Sequence, residues 1–233
     1  MGFLIRIDDI VRLGLVEPKD SLMWGANRSC DKSDRLRGMY VACMSAFMLN
    51  DLVYWLLAGS FAIYVADWCI RLVMLLFLWA ARHSLPPMPK RRGSDGMLAL
   101  LAVALVAFCI ACEPISARLG SGWMLFRWMP IENVYIWILD LTLGLAMVAI
   151  VEEVVSRRLA LAVLPGPMWA RVVVSSILFG MMHWGLGYGH MVETTVIGLA
   201  FATAYAWTGS LKLVIASHYA VNLLIFGLGV GEL

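Results

Sequence analysis

The sequence predicts an all-α fold, a polytopic bundle of about seven transmembrane helices. Of its 233 residues, 62% are hydrophobic and only 15% are charged, whereas a soluble domain is usually about 45–50% apolar and about 25% charged. The apolar residues also form separate runs close to the roughly 20 residues that an α-helix needs to cross a bilayer. We therefore expect an integral, multi-pass membrane protein in contact with lipid. The net charge of +2 is too small to indicate a nucleic-acid partner.

Seven apolar segments follow a polar N-terminal stretch, and turn-forming residues separate them. The segments cover residues 38–58, 60–82, 96–114, 131–151 with helix continuing to about 163, 170–188, 191–208 and 211–229. The breakers include AGS, LPGP, GLGYG and TGS, which combine glycine, proline and serine as turns do. We divide the chain into an N-terminal segment 1–37, N-terminal membrane helices 38–130 and a C-terminal bundle 131–233.

The N-terminal segment is basic and amphipathic. Its apolar residues have a roughly helical spacing and are Phe3, Ile7, Ile10, Val11 and Leu15. Such a pattern is typical of a helix that lies on a membrane surface. Its lysines and arginines predict contact with anionic lipid head groups.

The positions of the lysines and arginines predict the orientation of the bundle. Seven lie within residues 1–37, and four more, Arg82, Lys90, Arg91 and Arg92, lie in the loop after the second segment. Only Arg118 and Arg127 fall on the opposite side. Because basic loops stay in the cytoplasm, we expect a cytoplasmic N-terminus. The compact length favours a prokaryotic inner membrane.

Charged residues within apolar segments are costly, at about 2.5–3.5 kcal/mol each on insertion scales, and so are candidates for function. Asn50 and Asp51 fall in the first segment and Asp140 in the fourth. Asp67 and Arg71 are four residues apart in the second, and we interpret them as a pair that neutralises itself. The cysteines of CIAC, residues 109–112, are interpreted as packing residues.

Three short polar groups follow in order on three different predicted helices. They read EEVVSR at residues 152–157, FGMMH at 179–183 and HYAVN at 218–222. Glu153 and Arg157 would form an ion pair one helical turn apart, while Glu152, rotated by about 100°, would face another neighbour.

This order of motifs resembles the CPBP family of intramembrane proteases, also called the Abi or CAAX-protease family, over about the last 110 residues. The resemblance implies an intramembrane endopeptidase in which the glutamate of the first motif is the general base. The implied roles are water activation by Glu152 with His183, oxyanion stabilisation by His218 and Asn222, ordering of the site by Glu153 with Arg157, and packing by Phe179.

No cofactor is expected, although a divalent metal is an alternative. Two glutamates, two histidines and an asparagine offer suitable ligands. The zinc-protease signature H-E-x-x-H is absent from the sequence. We therefore favour a metal-free glutamate mechanism.

The resemblance implies a protein or peptide substrate of one of three kinds. These are prenylated C-terminal CAAX peptides, bacteriocin leaders and C-terminal sorting tails that are themselves membrane helices. Two other functions stay open at this point. One is a non-enzymatic immunity or scaffold protein of the same fold, and the other is a small proton-coupled transporter, since intramembrane Glu and His suit a proton relay.

Overall fold

The computed structural model describes residues 25–120, 122–126 and 131–228, with side chains from residue 32 onward. Over this part of the chain there are seven helices and no strand, which confirms the all-α prediction. The helices are α1 Gly25–Leu56, α2 Ala62–Ala80, α3 Asp95–Leu119, α4 Val134–Val163, α5 Met168–Met181, α6 Tyr188–Thr208 and α7 Leu211–Gly227. The surface helix predicted for residues 3–15 lies outside the described residues.

Four helices are long and apolar enough to cross a membrane by themselves. They are α1 over Lys32–Leu56, α2, α3 and α4, while α5 and α7 are shorter apolar helices. With 14 residues, α5 rises only about 21 Å, compared with a hydrocarbon core of about 30 Å. Helix α5 is therefore too short to cross a membrane by itself.

Helix α4 is the longest apolar helix and the centre of the bundle. Its central α-helical part, Leu145–Glu153, lies between two π-helical segments, Asp140–Gly144 and Val154–Leu159. Wide π turns inside α-helices occur frequently at functional sites. The sequence predicted the continuation of this helix to residue 163, but not its π segments.

Apolar clusters lie on both sides of α4. One joins it to α1 and α2 through Phe47, Met74, Val151 and Val155. The other joins α3, α6 and α7 around Phe201 and Val214 and includes Cys109 and Cys112. These two cysteines are buried and free, as a packing role requires.

Helices α5 and α6 pack closely because small residues lie between them. A Cβ on Gly180 would come within 2.5 Å of the carbonyl oxygen of Met191 and would overlap the side chain of Thr195. On Gly198 it would lie 3.1 Å from the ring of Phe179. This close approach fixes the end of α5, where the FGMMH motif lies.

Candidate active site

Glu153 is completely buried and holds both of its carboxylate oxygens in polar contacts. Arg157, one turn along α4, contacts Glu153 Oε2 through Nε at 2.9 Å and donates from Nη2 to Oε1 at 3.4 Å. His218 of α7 donates from Nδ1 to Oε1 at 2.9 Å. The predicted Glu153–Arg157 ion pair is present, and its contact with His218 joins α4 to α7.

Glu152 faces a different neighbour, as its position on the helix predicts. Arg71 of α2 contacts its Oε1 through Nη1 at 2.9 Å. Oε2 lies 3.9 Å from His218 Nε2 and accepts no hydrogen bond from the described residues. Glu152 therefore has one oxygen held by a cation and one buried oxygen whose hydrogen-bonding capacity is not used by the described residues.

His183 follows the end of α5 and is half-buried. Its Nδ1 lies 2.9 Å from the carbonyl oxygen of Phe179. Since a carbonyl can only accept, Nδ1–H is the donor and Nε2 carries the lone pair in the neutral ring. This tautomer leaves Nε2 able to accept a hydrogen bond from water.

Phe179 is the common packing surface of the site. Its ring meets the rings of His183 and His218 edge-on at centroid distances of 5.2 Å and 6.2 Å. The guanidinium of Arg157 lies over the same ring, 4.6 Å from its centroid. A cation placed over an aromatic face in a desolvated position is held there by the ring quadrupole.

Helix α1 holds the turn that carries His183. Trp184 donates from Nε1 to the carbonyl oxygen of Met48 at 3.1 Å, and Asp51 Oδ2 accepts from the backbone N–H of Gly185 at 2.7 Å. The hydrogen bond to Gly185 therefore gives a structural reason for a carboxylate at residue 51, within an apolar helix.

Asn222 lies one turn beyond His218 on α7 and is half-buried. Within the described part of the chain its side chain has no hydrogen-bond partner, in contrast to His218. The structure thus brings Glu152, Glu153, Arg157, Phe179, His183 and His218 together. Asn222 is placed next to this group by helical register alone.

The predicted pair of Asp67 and Arg71 is present, and Arg71 has a second partner that the interpretation did not include. Arg71 does contact Asp67, through Nε at 3.1 Å, but its Nη1 reaches Glu152. Arg71 therefore bridges two carboxylates on different helices. The signal that could have revealed it is the cost of an intramembrane arginine, since one aspartate on the same helix leaves most of its five N–H donors without a partner.

Sequence reasoning also missed His190 and Glu193 of α6. The His190 ring lies 5.7 Å from that of His183, and its Nδ1 lies 3.8 Å from Glu193 Oε2. Glu193 is only 2% exposed. These polar residues extend the site along α6, and the available signal was the charged Glu193 within an apolar segment.

Metal ligation was the alternative to a glutamate mechanism. In the residues described, no group of three or more His, Cys, Asp or Glu side chains is arranged to hold a metal ion. Both glutamates of the first motif instead face arginines.

The region from α4 into α7 matches a known protein family. Residues 134–224 match the family model described as Rce1-like, type II CAAX prenyl endopeptidase. The chain carries a Rce1-like protease region. The match covers all three motifs and confirms the resemblance to the CAAX-protease family.

The Rce1-like region identifies the chain as an enzyme, a protease, and its four long apolar helices identify it as a membrane protein. This favours the protease interpretation over the scaffold and the transporter. Helices α1, α2 and α3 lie before the matched region. No curated protein and no solved structure was found to match the chain.

Proposed function

We propose that the chain is an intramembrane endopeptidase that hydrolyses a peptide bond near the C-terminus or membrane segment of a protein, with a water activated by Glu152. The observation that carries the proposal is the asymmetry of the Glu152 carboxylate. One oxygen is held by Arg71, and the other accepts no hydrogen bond from the described residues and faces His218.

In this mechanism Glu152 Oε2 takes a proton from the attacking water, and His183 Nε2 helps to orient that water. Geometry supports the second role because His183 donates from Nδ1 to Phe179, which leaves Nε2 as an acceptor. The water oxygen bonds to the carbonyl carbon of the substrate and gives the tetrahedral oxyanion. The carbonyl then re-forms as the C–N bond breaks, and the proton passes from Glu152 to the leaving amine nitrogen. One base therefore serves both proton transfers.

His218 and Asn222 are proposed to stabilise the tetrahedral oxyanion. His218 already donates from Nδ1 to Glu153, so donation to an oxyanion requires a second proton on Nε2. Its position between Glu153 and Glu152 places Nε2 on the side of the proposed base. Preorganised donors of this kind are worth about 10²–10³-fold in rate.

The metal-free mechanism remains part of the proposal. Arg157 and His218 contact the two oxygens of Glu153, and Arg71 contacts one oxygen of Glu152. Arg157 and Arg71 already balance the carboxylates that a metal would need as ligands. This arrangement supports a site in which protein groups position the water.

For the substrate we propose a prenylated C-terminal CAAX peptide as the first class to test, because the matched family is described as one of CAAX prenyl endopeptidases. Bacteriocin leaders and C-terminal sorting tails are the other candidates. A lipidated or helical C-terminus would partition into the bilayer, and the buried site suits a substrate that approaches from there.

The test is Glu152→Gln in membranes that contain a farnesylated CAAX peptide with a fluorophore and a quencher on either side of its cleavage site. Amide replaces carboxylate at nearly constant volume, so we expect normal protein levels and about a 10²–10⁴-fold loss of cleavage, the contribution of a positioned base. His183→Ala should also lose most activity. Cleavage by Glu152→Gln at the wild-type rate would show that Glu152 is not the base.

Two controls accompany this experiment. Glu132→Gln makes the same chemical change at an exposed position away from the site and should leave cleavage unchanged. A chelator should also leave it unchanged, whereas complete loss restored by zinc would replace the metal-free mechanism with a metal-dependent one.

A further inference from the structure

Arg71 lies on α2, before the Rce1-like region begins, yet it contacts the proposed base directly. We propose that Arg71 is a positioning residue of the active site, which holds the Glu152 carboxylate charged and oriented for catalysis. The inference rests on the proposed function of Glu152 and adds a group that no motif of the C-terminal helices contains.

The contacts of Arg71 are those of a buried, fixed cation. Its side chain is 9% exposed and that of Glu152 is 3% exposed. The guanidinium also lies over the ring of Phe47 on α1, 5.2 Å from the ring centroid. A charged pair removed from water is screened little by salt, so salt should weaken the 2.9 Å contact between Arg71 and Glu152 only slightly.

A chain of polar side chains anchors Arg71 from behind. Asp67 contacts its Nε at 3.1 Å and accepts a hydrogen bond from the hydroxyl of Tyr54, which in turn accepts one from the amide of Asn50. The chain thus runs from α1 through α2 to α4. It accounts for Asn50 and Asp67, two costly polar residues within candidate membrane spans.

The geometry separates the roles of the two arginines at the site. Arg157 contacts both oxygens of Glu153, the bidentate arrangement of a structural ion pair. Arg71 contacts only one oxygen of Glu152, because its Nε is already engaged by Asp67. By holding Nε, Asp67 limits Arg71 to one oxygen of Glu152. The second Glu152 oxygen then has no arginine partner and is the one we propose to accept a proton from water.

A general base must be ionised to accept a proton. A nearby opposite charge favours the ionised form of a carboxyl group, while burial disfavours it. Without Arg71, the Glu152 side chain would be a buried carboxylate facing only His218, and its charged form would lose its closest cation. Catalysis then falls although the substrate still binds.

The experiment uses three variants, Arg71→Met, Arg71→Lys and a double variant that combines Asp67→Asn and Arg71→Met. All are purified in detergent with the rest of the chain intact. The double variant removes one of the two carboxylates that Arg71→Met leaves unpaired, and so protects folding. Arg37→Met, which breaks an exposed ion pair with Asp34, is the matched control. Cleavage of the farnesylated CAAX peptide and reaction of Glu152 with dicyclohexylcarbodiimide are measured.

For Arg71→Met and the double variant we expect kcat to fall about 10- to 100-fold, part of the roughly 10²–10⁴-fold that a positioned base contributes, with KM within about twofold of the wild type. Arg71→Lys should recover part of kcat, since it restores the charge. The carbodiimide attacks neutral carboxyl groups, so it should label Glu152 in the methionine variants and not in the wild type. In a variant that has lost its fold, the carbodiimide should label Glu153 as well.

The inference is overturned if folded Arg71→Met, or the folded double variant, has wild-type kcat and an unlabelled Glu152. The labelling is independent of any substrate. Failure of the proposed function therefore has a different signature, cleavage by Glu152→Gln at the wild-type rate.

Discussion

Glu152 and Glu153 are neighbours in sequence with different environments. Consecutive residues of a helix point about 100° apart, so Glu153 meets Arg157 and His218, while Glu152 meets Arg71. Each oxygen of Glu153 has a partner at 2.9 Å, Arg157 or His218, whereas the second oxygen of Glu152 has only His218, at 3.9 Å. This difference in partners supports the proposed roles, an ordering role for Glu153 and a chemical role for Glu152.

Arg157 is completely buried, so its replacement tests the ordering role. Arg157→Met leaves Glu153 as a buried charge without its strongest partner. Removing one member of a buried ion pair destabilises a protein by about 3–5 kcal/mol. We expect that loss in the free energy of unfolding, measured by denaturant titration in detergent.

Two further variants control for the change of side chain at residue 157. Adding Glu153→Gln to Arg157→Met removes the stranded charge and should restore much of the stability. Arg158→Met removes a half-buried arginine that donates to the carbonyl oxygen of Pro86. It should lower the free energy of unfolding by no more than about 3 kcal/mol, the upper value for a hydrogen bond to a charged group. A loss under about 1 kcal/mol for Arg157→Met would contradict the buried ion pair.

Among the elements, the pair α5 and α6 determines where His183 lies. Glycine at residue 180 allows the helices to approach, since a Cβ there would reach the carbonyl oxygen of Met191 at 2.5 Å. A backbone carbonyl cannot rotate away as a side chain can. The closeness of the two helices is thus set by residues that perform no chemistry themselves.

Gly180→Ala should therefore separate α5 from α6 and displace the turn with His183. Overpacking of this kind costs about 1–3 kcal/mol, and a displacement of about 1 Å at a site can reduce the rate about 10²-fold. The thermal midpoint and the cleavage rate should both fall.

Gly38→Ala is the matched control because nothing lies within 4 Å of a Cβ at that helical position. Alanine is favoured over glycine in a helix by about 1 kcal/mol, so this variant should be as stable as the wild type or more so. Wild-type activity of Gly180→Ala would show that the turn tolerates wider packing.

The whole molecule brings the site together from four helices. Arg71 comes from α2, Glu152 and Glu153 from α4, His183 from the turn after α5, and His218 from α7. Helix α1 supports this arrangement through Asn50 and Asp51. The helices before the Rce1-like region are thus part of the site's support and not a separate module.

The basic loops lie at one end of the bundle. The backbone N–H of Arg92 donates to the carbonyl oxygen of Thr208 at 2.7 Å, and Arg158 donates to that of Pro86 at 2.9 Å. The loop between α2 and α3 therefore lies beside the α6–α7 turn. With basic loops in the cytoplasm, this end is expected to be cytoplasmic.

Cysteine labelling tests that orientation. In a background without the native cysteines, Lys90→Cys and Met124→Cys place a thiol at exposed positions in the loops after α2 and α3. We expect an impermeant maleimide to label residue 124 in intact cells and residue 90 only in inverted vesicles. The reverse pattern would show that the bundle has the opposite orientation.

The membrane class, the seven helices of the described residues and six residues that the structure brings together at the candidate site could be predicted from the sequence. Apolar runs and turn residues act locally, so composition and spacing were sufficient for the helices. The ion pair of Glu153 with Arg157 is also local, because residues four apart share a helix face. The resemblance supplied the order in which the three motifs belong together.

Contacts between distant helices could not be read in this way. No local pattern indicates whether Arg71 contacts Asp67 alone or also Glu152, since that depends on how α2 packs against α4. The position of the turn after α5 likewise depends on how closely Gly180 meets α6. Helices and motifs follow from interactions within a few residues, whereas the partner of a buried charge is selected by the packing that removes it from water.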